Sequence, residues 1–365
     1  MTVTAPPTAP VAVEPPVSLR SGRLAAWVPW GLLAASLAIL GGVFFIVAVA
    51  QGDGFNLAGW VITSALAYLV LVWVISAIVE GTRKAVDRLV TGIVTVAFLI
   101  AMIPLVSVAW TVVANGLARF DAEFFSSSMR NVVGEGGGAV HAIWGTLLVT
   151  LAAAIISIPI GLMTSIYLVE YGEGKRIARG ITFLVDVMTG IPSIVAGLFA
   201  YALFAIFFGA GVRLGIMGSV ALAVLMIPVV VRSSEEMLRL VPNELREAAY
   251  ALGVPKWLTI VKVVLPTAIA GITTGVMLSI SRVIGETAPL LITAGFTDSL
   301  NLNLFDGRMQ TLPVFTYTQY ANQGIPPEAY WDRAWAAALT LIIIVMVLNL
   351  VARLIAKLFA PKTGR

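Results

Sequence analysis

Eight stretches of this chain, 24–50, 57–79, 89–114, 141–169, 181–208, 214–231, 267–294 and 334–356, are apolar over about the length a helix needs to cross a bilayer. Inside hydrocarbon, backbone N–H and C=O groups have no water to pair with, so a spanning segment must satisfy them within its own helix. The expected fold class is therefore an all-α polytopic membrane protein. With 59% hydrophobic and only 12% charged residues, the whole chain fits that class. The fifth stretch is the exception, because Asp186 and Gly190-Ile191-Pro192 interrupt it. A short interfacial helix followed by a span beginning near Gly190 fits the same residues equally well.

Lysine and arginine orient the spans. With the N-terminus inside, seventeen of them fall in inner loops and tails, five in outer loops, and one, Arg282, within a span. The opposite orientation would reverse that bias. The N- and C-termini are therefore expected in the cytoplasm, in a multi-pass protein of the cell membrane, with lipid as its surroundings. The net charge of +4 comes from these membrane-flanking residues, with no aromatic-interleaved basic patch, so no nucleic acid is expected as a partner. Zero cysteines and a single histidine, His141, exclude disulfides, thiolate catalysis and a Cys/His metal cluster. No cofactor or metal is expected, and His141 reads as a loop or interface residue. Residues 1–23, with Pro6, Pro7, Pro10, Pro15 and Pro16, read as a disordered cytoplasmic tail. Ala48-Val49-Ala50 mimics a signal-peptidase site, but the apolar run before it is too long for a leader, so the first span is expected to be retained.

Between the sixth and seventh stretches the chain turns polar. Pro242 suits a first helical position, Glu244 the positive start of a helix and Gly253 its stop, while Pro255 prevents its continuation. Leu245, Ala248, Ala249 and Leu252 form one apolar stripe at helical spacing. Such a stripe, facing water with no core of its own, is expected to be a docking surface. Glu247-Ala248-Ala249, Gly253 and Leu265-Pro266 stand in the order E-A-A-x3-G-x9-[I/V]-x-L-P, with Val263 in the place often held by Ile. That pattern resembles the signature of the membrane subunits of ABC importers. In that family the segment is a coupling helix seated in a groove of a separate ATPase, so the resemblance gives Glu247, Ala248, Ala249, Gly253, Leu265 and Pro266 an ATPase-coupling role. It covers about 85–365 and implies a six-helix ABC importer permease core with a cytoplasmic coupling loop at 232–266. Two extra N-terminal transmembrane helices, a hairpin at 24–84, precede that core and are expected to pack peripherally. Gly271 and Gly275 form a small-xxx-small pair suited to a helix contact.

Arg282 and Glu286, four residues apart, are expected on one face of the seventh span. A charge at the bilayer centre costs about 2.5–3.5 kcal/mol on insertion scales, which disfavours an idle place against lipid. A structural ion pair and a substrate pathway are the two readings of the pair. Ser281 to Leu291, S-R-V-I-G-E-T-A-P-L-L, resembles phosphate-specific permeases of the PstA type. Three other stretches agree: Gly190 to Phe199, Pro228 to Pro242 with Arg232, Glu235 and Glu236, and Thr311 to Val314. The resemblance implies a substrate pathway in which Arg282 attracts phosphate and Glu286 positions it. An arginine suits that work, since it stays protonated and its planar fork matches phosphate oxygens in pairs.

By the same resemblance the partners are an ATPase subunit dimer, a homologous phosphate permease and an extracytoplasmic phosphate-binding protein. Gly134-Glu135-Gly136-Gly137-Gly138 lacks the Gly-Lys-Ser/Thr ending of a phosphate-binding loop and reads as a flexible outer loop. With no nucleotide-binding element in the sequence, the chain is expected to be a translocation subunit and no enzyme. The outer loops at 115–140 and 295–333 are a plausible docking surface for the binding protein. An importer of sulfate or molybdate is the alternative nearest at hand. A secondary transporter or a signalling scaffold is the alternative of another class, and the coupling-loop signature argues against both.

Overall fold

Helices make up the architecture of the described residues, as the apolar runs require. The structure is a computed structural model that describes residues 24–52 and 54–359, and the expected tail at 1–23 lies outside them. In chain order the helices are α1 (Val28–Gln51), α2 (Leu57–Val79), α3 (Thr82–Gly116), α4 (Ala122–Ser126), α5 (Val140–Ile166), α6 (Arg176–Thr189) and α7 (Ser193–Phe208). They continue with α8 (Gly215–Arg239), α9 (Asn243–Ala251), α10 (Lys256–Thr259), α11 (Leu265–Val283), α12 (Ala288–Thr293), α13 (Leu312–Ala321) and α14 (Pro327–Phe359). No strand occurs among the described residues.

Among the described residues seven helices are long and apolar enough to cross a membrane, and α6 with α7 makes an eighth span if the 110° bend between them is counted as one broken crossing. The bend falls where Gly190-Ile191-Pro192 interrupts the fifth apolar run. Pro192 has no N–H to give and pushes Ile191 out of the helical region, so the helix must stop and restart. The seventh run ends differently from expectation. Its helix begins at Lys256, passes through a π-helical turn at Ile260–Val264 and closes at Val283. In that turn Leu265 donates to the carbonyl of Ile260, five residues back, and the wider turn carries the helix past Pro266 without a break. Since α8 runs on to Arg239 and the next span starts at Lys256, the polar segment between these two helices is 240–255, inside the expected 232–266.

The chain divides into two compact units, with the boundary between Val108 and Ala109 inside α3. In the first unit, the indole Nε1 of Trp60 on α2 donates to the Leu37 carbonyl of α1 at 2.9 Å. Asn56 caps α2, its side chain accepting from Gly59 N at 2.9 Å. At the turn into α3, Glu80 accepts from Arg88 Nε and Nη2 at 2.7 and 3.0 Å, from Ser76 Oγ at 2.9 Å and from Leu24 N at 2.9 Å.

The second unit is built round α8, which packs against α5, α6, α7, α11 and α12. Glycines let its neighbours approach. A Cβ on Gly161 of α5 would lie 2.6 Å from Val230, while Gly271 and Gly275 of α11 meet Met237 and Ser233 at contact too close for any side chain. The expected small-xxx-small contact is thus between α11 and α8. Val149, Ala153, Leu222, Met226, Val230, Val283 and Leu290 form the core between these helices.

Arg88 is the main cause that holds the Glu80 carboxyl down, from an ordinary 4.5 to about 2. Stability from this group is complete above the unfolded value of 4.5 and is lost as pH falls toward 2. Glu80→Gln is expected to lower the melting temperature of the purified chain at pH 7, with the gap to wild type shrinking below pH 4.5; melting curves across that range check it.

Candidate functional site

Helix α9 is the polar interruption seen in the sequence. Pro242 precedes it in extended geometry, Glu244 lies in its first turn, and Gly253 ends it at φ +75°. Gly253 N bonds the carbonyl of Tyr250 at 2.9 Å and Val254 N that of Ala249 at 3.1 Å, so the left-handed residue closes the helix. Only glycine adopts that φ without strain. Of the expected stripe, Leu245, Ala248 and Leu252 are exposed, but Ala249 is buried. The helix packs on the π-helical turn at Ile260–Val264, and Ala249 is small enough to lie on that inner side. Glu247 stays exposed, and Tyr250, Leu252 and, on α10, Trp257 are exposed as well.

What fastens α9 to the spans was not foreseen from sequence. Arg246 Nε and Nη2 donate to Glu170 Oε1 at 3.1 and 2.8 Å, Nη2 also to the carbonyl of Leu238 at 2.9 Å. Its Nη1 donates to the carbonyl of Val241 at 2.6 Å and to Asn243 Oδ1 at 3.3 Å. Glu170 belongs to a π-helical turn, Tyr167–Tyr171, that extends α5. On the exit side of α9, Lys256 Nζ sits 4.9 Å from the centre of the Tyr171 ring. Deeper in, Ile166, Leu238, Val241, Ile260, Val264 and Ala268 form one apolar cluster from the ends of α5, α8 and α11. The only sequence signal for this attachment was a lone glutamate closing an apolar run. Its partner stands 76 residues away.

One step nearer the membrane, Arg232 on α8 pairs with Asp186 of α6 and, at 2.9 Å, with Glu235, which also accepts from Arg239 at 2.8 Å. Arg232 and Glu235, named for their resemblance, thus tie the bent α6–α7 pair to α8, whereas Glu236 is exposed. The other resemblance stretches pack on one another. A Cβ on Gly197 of α7 would lie 2.7 Å from Pro289 Cα, and Leu290 fills the space at Gly218 of α8.

Arg282 and Glu286 do not share a helix face. The helix ends at Val283, Ile284-Gly285 form a turn, and Glu286 lies in the link to α12. The expectation assumed an unbroken span to 294, but Gly285 and the proline at 289 favour a turn there. Neither residue has an ion-pair partner among the described residues. Arg282 is exposed and Glu286 half-buried. Val283, next to Arg282, belongs to the core with Leu222 and Met226, near the middle of α8. Ser281 accepts from Asn349 Nδ2 of α14 at 3.0 Å, which fixes this end of α11.

At the opposite end of α5 the glycine-rich segment is pinned, contrary to the flexible loop expected. Arg333, 1% exposed, donates from Nη1 to the carbonyls of Gly134 and Gly136 at 2.7 and 2.9 Å and from Nε to Gln319 Oε1 at 2.9 Å. Arg119 Nη2 donates to the carbonyl of Gly137 at 3.0 Å, and Gly137 N to Glu123 Oε1 at 3.1 Å. The backbone N–H of Phe124, with Arg119 beside it, holds the Asp121 carboxyl below its usual range. A cavity of about 440 Å³ lies here, lined by Arg119, Glu123, Glu135, Glu328, Asp332 and Arg333 among others. Of the two places expected for His141, loop or interface, the structure gives the interface. The side chain is buried at the start of α5, 3.2 Å from Gln310 Oε1 and edge-on to Phe315. The segment before α13 crosses α5 directly at Gly145, where the Gln310 carbonyl leaves no room for a side chain, and so covers the histidine. Among the described residues no cluster of His, Asp and Glu is set to hold a metal ion.

Residues 157–365 match the family described as binding-protein-dependent transport system inner membrane component. The chain is 48% identical over 266 residues to phosphate transport system permease protein PstA 1 of Mycobacterium tuberculosis (strain CDC 1551 / Oshkosh), covering 72% of this chain and 86% of that protein. It is 49% identical over 268 residues to phosphate transport system permease protein PstA of Mycobacterium leprae (strain TN), covering 72% and 86%. Among solved structures, the inward-facing MetNI methionine ABC transporter in its CY5 native crystal form matches with a TM-score of 0.50 and 21% identity, covering 61% of this chain and 96% of that one. That last likeness is one of fold.

Arg333→Leu is expected to lower stability by on the order of 3 kcal/mol, because the Gly134 and Gly136 carbonyls lose their charged donor. Thermal unfolding and faster proteolytic nicking at 134–138 would register it.

Proposed function

This chain belongs to the family of binding-protein-dependent transport system inner membrane components and within it to the PstA phosphate transport permeases, and from that premise we propose how its residues divide the work. It is the multi-pass permease subunit of an ABC importer of inorganic phosphate. In our reading ATP is hydrolysed by a separate ATPase dimer, a homologous permease completes the membrane pathway, and an extracytoplasmic binding protein delivers phosphate. The termini and α9 face the cytoplasm, as the lysine and arginine bias supports.

The observation that carries the pathway is the place of Arg282. It lies in the last turn of α11, beside the core residue Val283, exposed and with no carboxylate partner among the described residues. Against lipid, such a charge would cost about 2.5–3.5 kcal/mol. That cost favours a face turned to a second permease or to water between the two. There the guanidinium attracts the phosphate dianion, and Glu286, at the turn that follows, limits how firmly it is held. A tight permanent site would trap the ion, so the contact is transient and selectivity rests mainly with the binding protein. At the other end of the mechanism, Leu245, Ala248 and Leu252 form the face of α9 that seats in the ATPase. Glu247 lies at the rim of that seat, Gly253 sets the end of the helix, and Leu265-Pro266 lead back into the bilayer.

Arg282→Gln is expected to reduce ATP-driven phosphate uptake by about tenfold or more while the complex still assembles, as loss of a charged transport contact implies. Normal uptake by this variant would remove Arg282 from the pathway. Uptake of labelled phosphate competed by sulfate and molybdate decides among oxyanions, with phosphate expected to compete best. Leu252→Asp and Gly253→Val are each expected to weaken ATPase capture by about tenfold, the first by charging the seat and the second by straining the helix end. Co-purification reads that out, and undiminished capture would argue against docking through α9.

A further inference from the structure

Movement of α9 needs a mechanical path into the membrane, and an inference about that path rests on the coupling role proposed above. We propose that Arg246 is the positioning residue that transmits displacement of α9 to α5 and α8, with Glu170 as its receiver. All five donors of the guanidinium are engaged, on three different elements: Glu170 in the π-helical turn of α5, the Leu238 and Val241 carbonyls at the end of α8, and Asn243 at the start of α9. The side chains of Arg246 and Glu170 are 12% and 4% exposed, so water and salt screen the pair little. A planar fork held at every corner cannot swivel, as a lysine ammonium would.

The surroundings suit a transmitter more than a simple anchor. Leu245, next to Arg246 in the chain, and Leu252 are exposed on α9, so a push applied to them displaces the helix that carries Arg246. Lys256 over Tyr171 ties the exit of α9 to the same π-helical turn that Arg246 holds at its beginning. Both helices that meet beneath α9 carry a π-helical turn at this level, Tyr167–Tyr171 in α5 and Ile260–Val264 in α11. Such turns hold one residue more than the α-helical ladder accommodates and are sites where a helix adjusts. The apolar cluster of Ile166, Leu238, Ile260 and Val264 then links the two turns to the end of α8. Arg282 lies on α11, beyond the second turn.

The chain has no cysteine, so one reporter can be placed at Gly285, which is exposed with open space around it. In the full transporter, three quantities are measured for wild type, Glu170→Gln and Arg246→Lys. These are ATPase capture, phosphate moved per ATP hydrolysed, and the change in maleimide labelling of Gly285→Cys when a non-hydrolysable ATP analogue binds. Glu170→Gln is expected to keep ATPase capture and ATP hydrolysis, to move about tenfold less phosphate per ATP, and to lose the nucleotide-dependent change in labelling, a size typical of coupling between distant sites. Arg246→Lys is expected to behave alike and carries the decision should Glu170→Gln fail to assemble. An unchanged labelling response, or loss of ATPase capture with both substitutions, overturns the proposal, the latter because it marks the pair as a support of the docking face alone. A wild-type complex whose labelling responds to nucleotide but which moves no phosphate would sink the cargo reading, and the labelling of the variants would still decide the role of Arg246.

Discussion

Close approach to α8 is the constraint from which the rest of the second unit follows. In a bilayer, apolar surfaces gain little by leaving lipid for one another, so helices associate through tight van der Waals fit and through polar bonds. Gly161 of α5 and Gly271 and Gly275 of α11 let their helices lie directly on Val230, Met237 and Ser233, and Gly218 of α8 itself receives Leu290. With α5 and α11 laid along α8, the ends of three spans converge, and α9 is set on the convergence. The location of α9 is thus a result of glycine placement far from it in sequence.

The same medium explains how the charges are distributed. Glu80 holds Arg88, Asp186 and Glu235 hold Arg232, Glu170 holds Arg246, and backbone carbonyls hold Arg333. Each of these groups lies near a helix end, where a short reach finds a partner. Arg282, in the last turn of α11, is exposed with no carboxylate partner among the described residues, and its neighbour Val283 packs in the core with Leu222 and Met226, near the middle of α8. An unpaired charge beside that core is the physical reason behind the proposal that gives Arg282 a place in phosphate movement.

Much of the site was legible in local chemistry. Proline before α9, glycine at its end and proline at the next start are short-range signals, and they produced the helix they describe. The interruption of the fifth run by Gly190-Ile191-Pro192 produced the bend between α6 and α7 for the same reason. Legibility ended where a residue's partner is distant or where the backbone leaves a regular path. Spacing placed Glu286 one turn after Arg282, yet that rule holds only inside a continuous helix, and the helix stops at Val283. Glycine density read as flexibility at 134–138, yet two arginines from other elements pin the carbonyls that glycine leaves accessible.

Hydropathy, punctuation by proline and glycine, and the motif around Glu247 determined from sequence alone that this is an α-helical, multi-pass permease with a polar helix between two spans. Those properties depend on residues within a turn or two of one another, where backbone geometry and solvent transfer act directly. Tertiary structure alone decided which side of α9 faces inward, that Arg246 reaches Glu170 across 76 residues, and that Arg282 stands apart from Glu286. Such facts depend on how spans lie side by side, and that is set by the summed fit of many weak contacts, which no single stretch of sequence encodes.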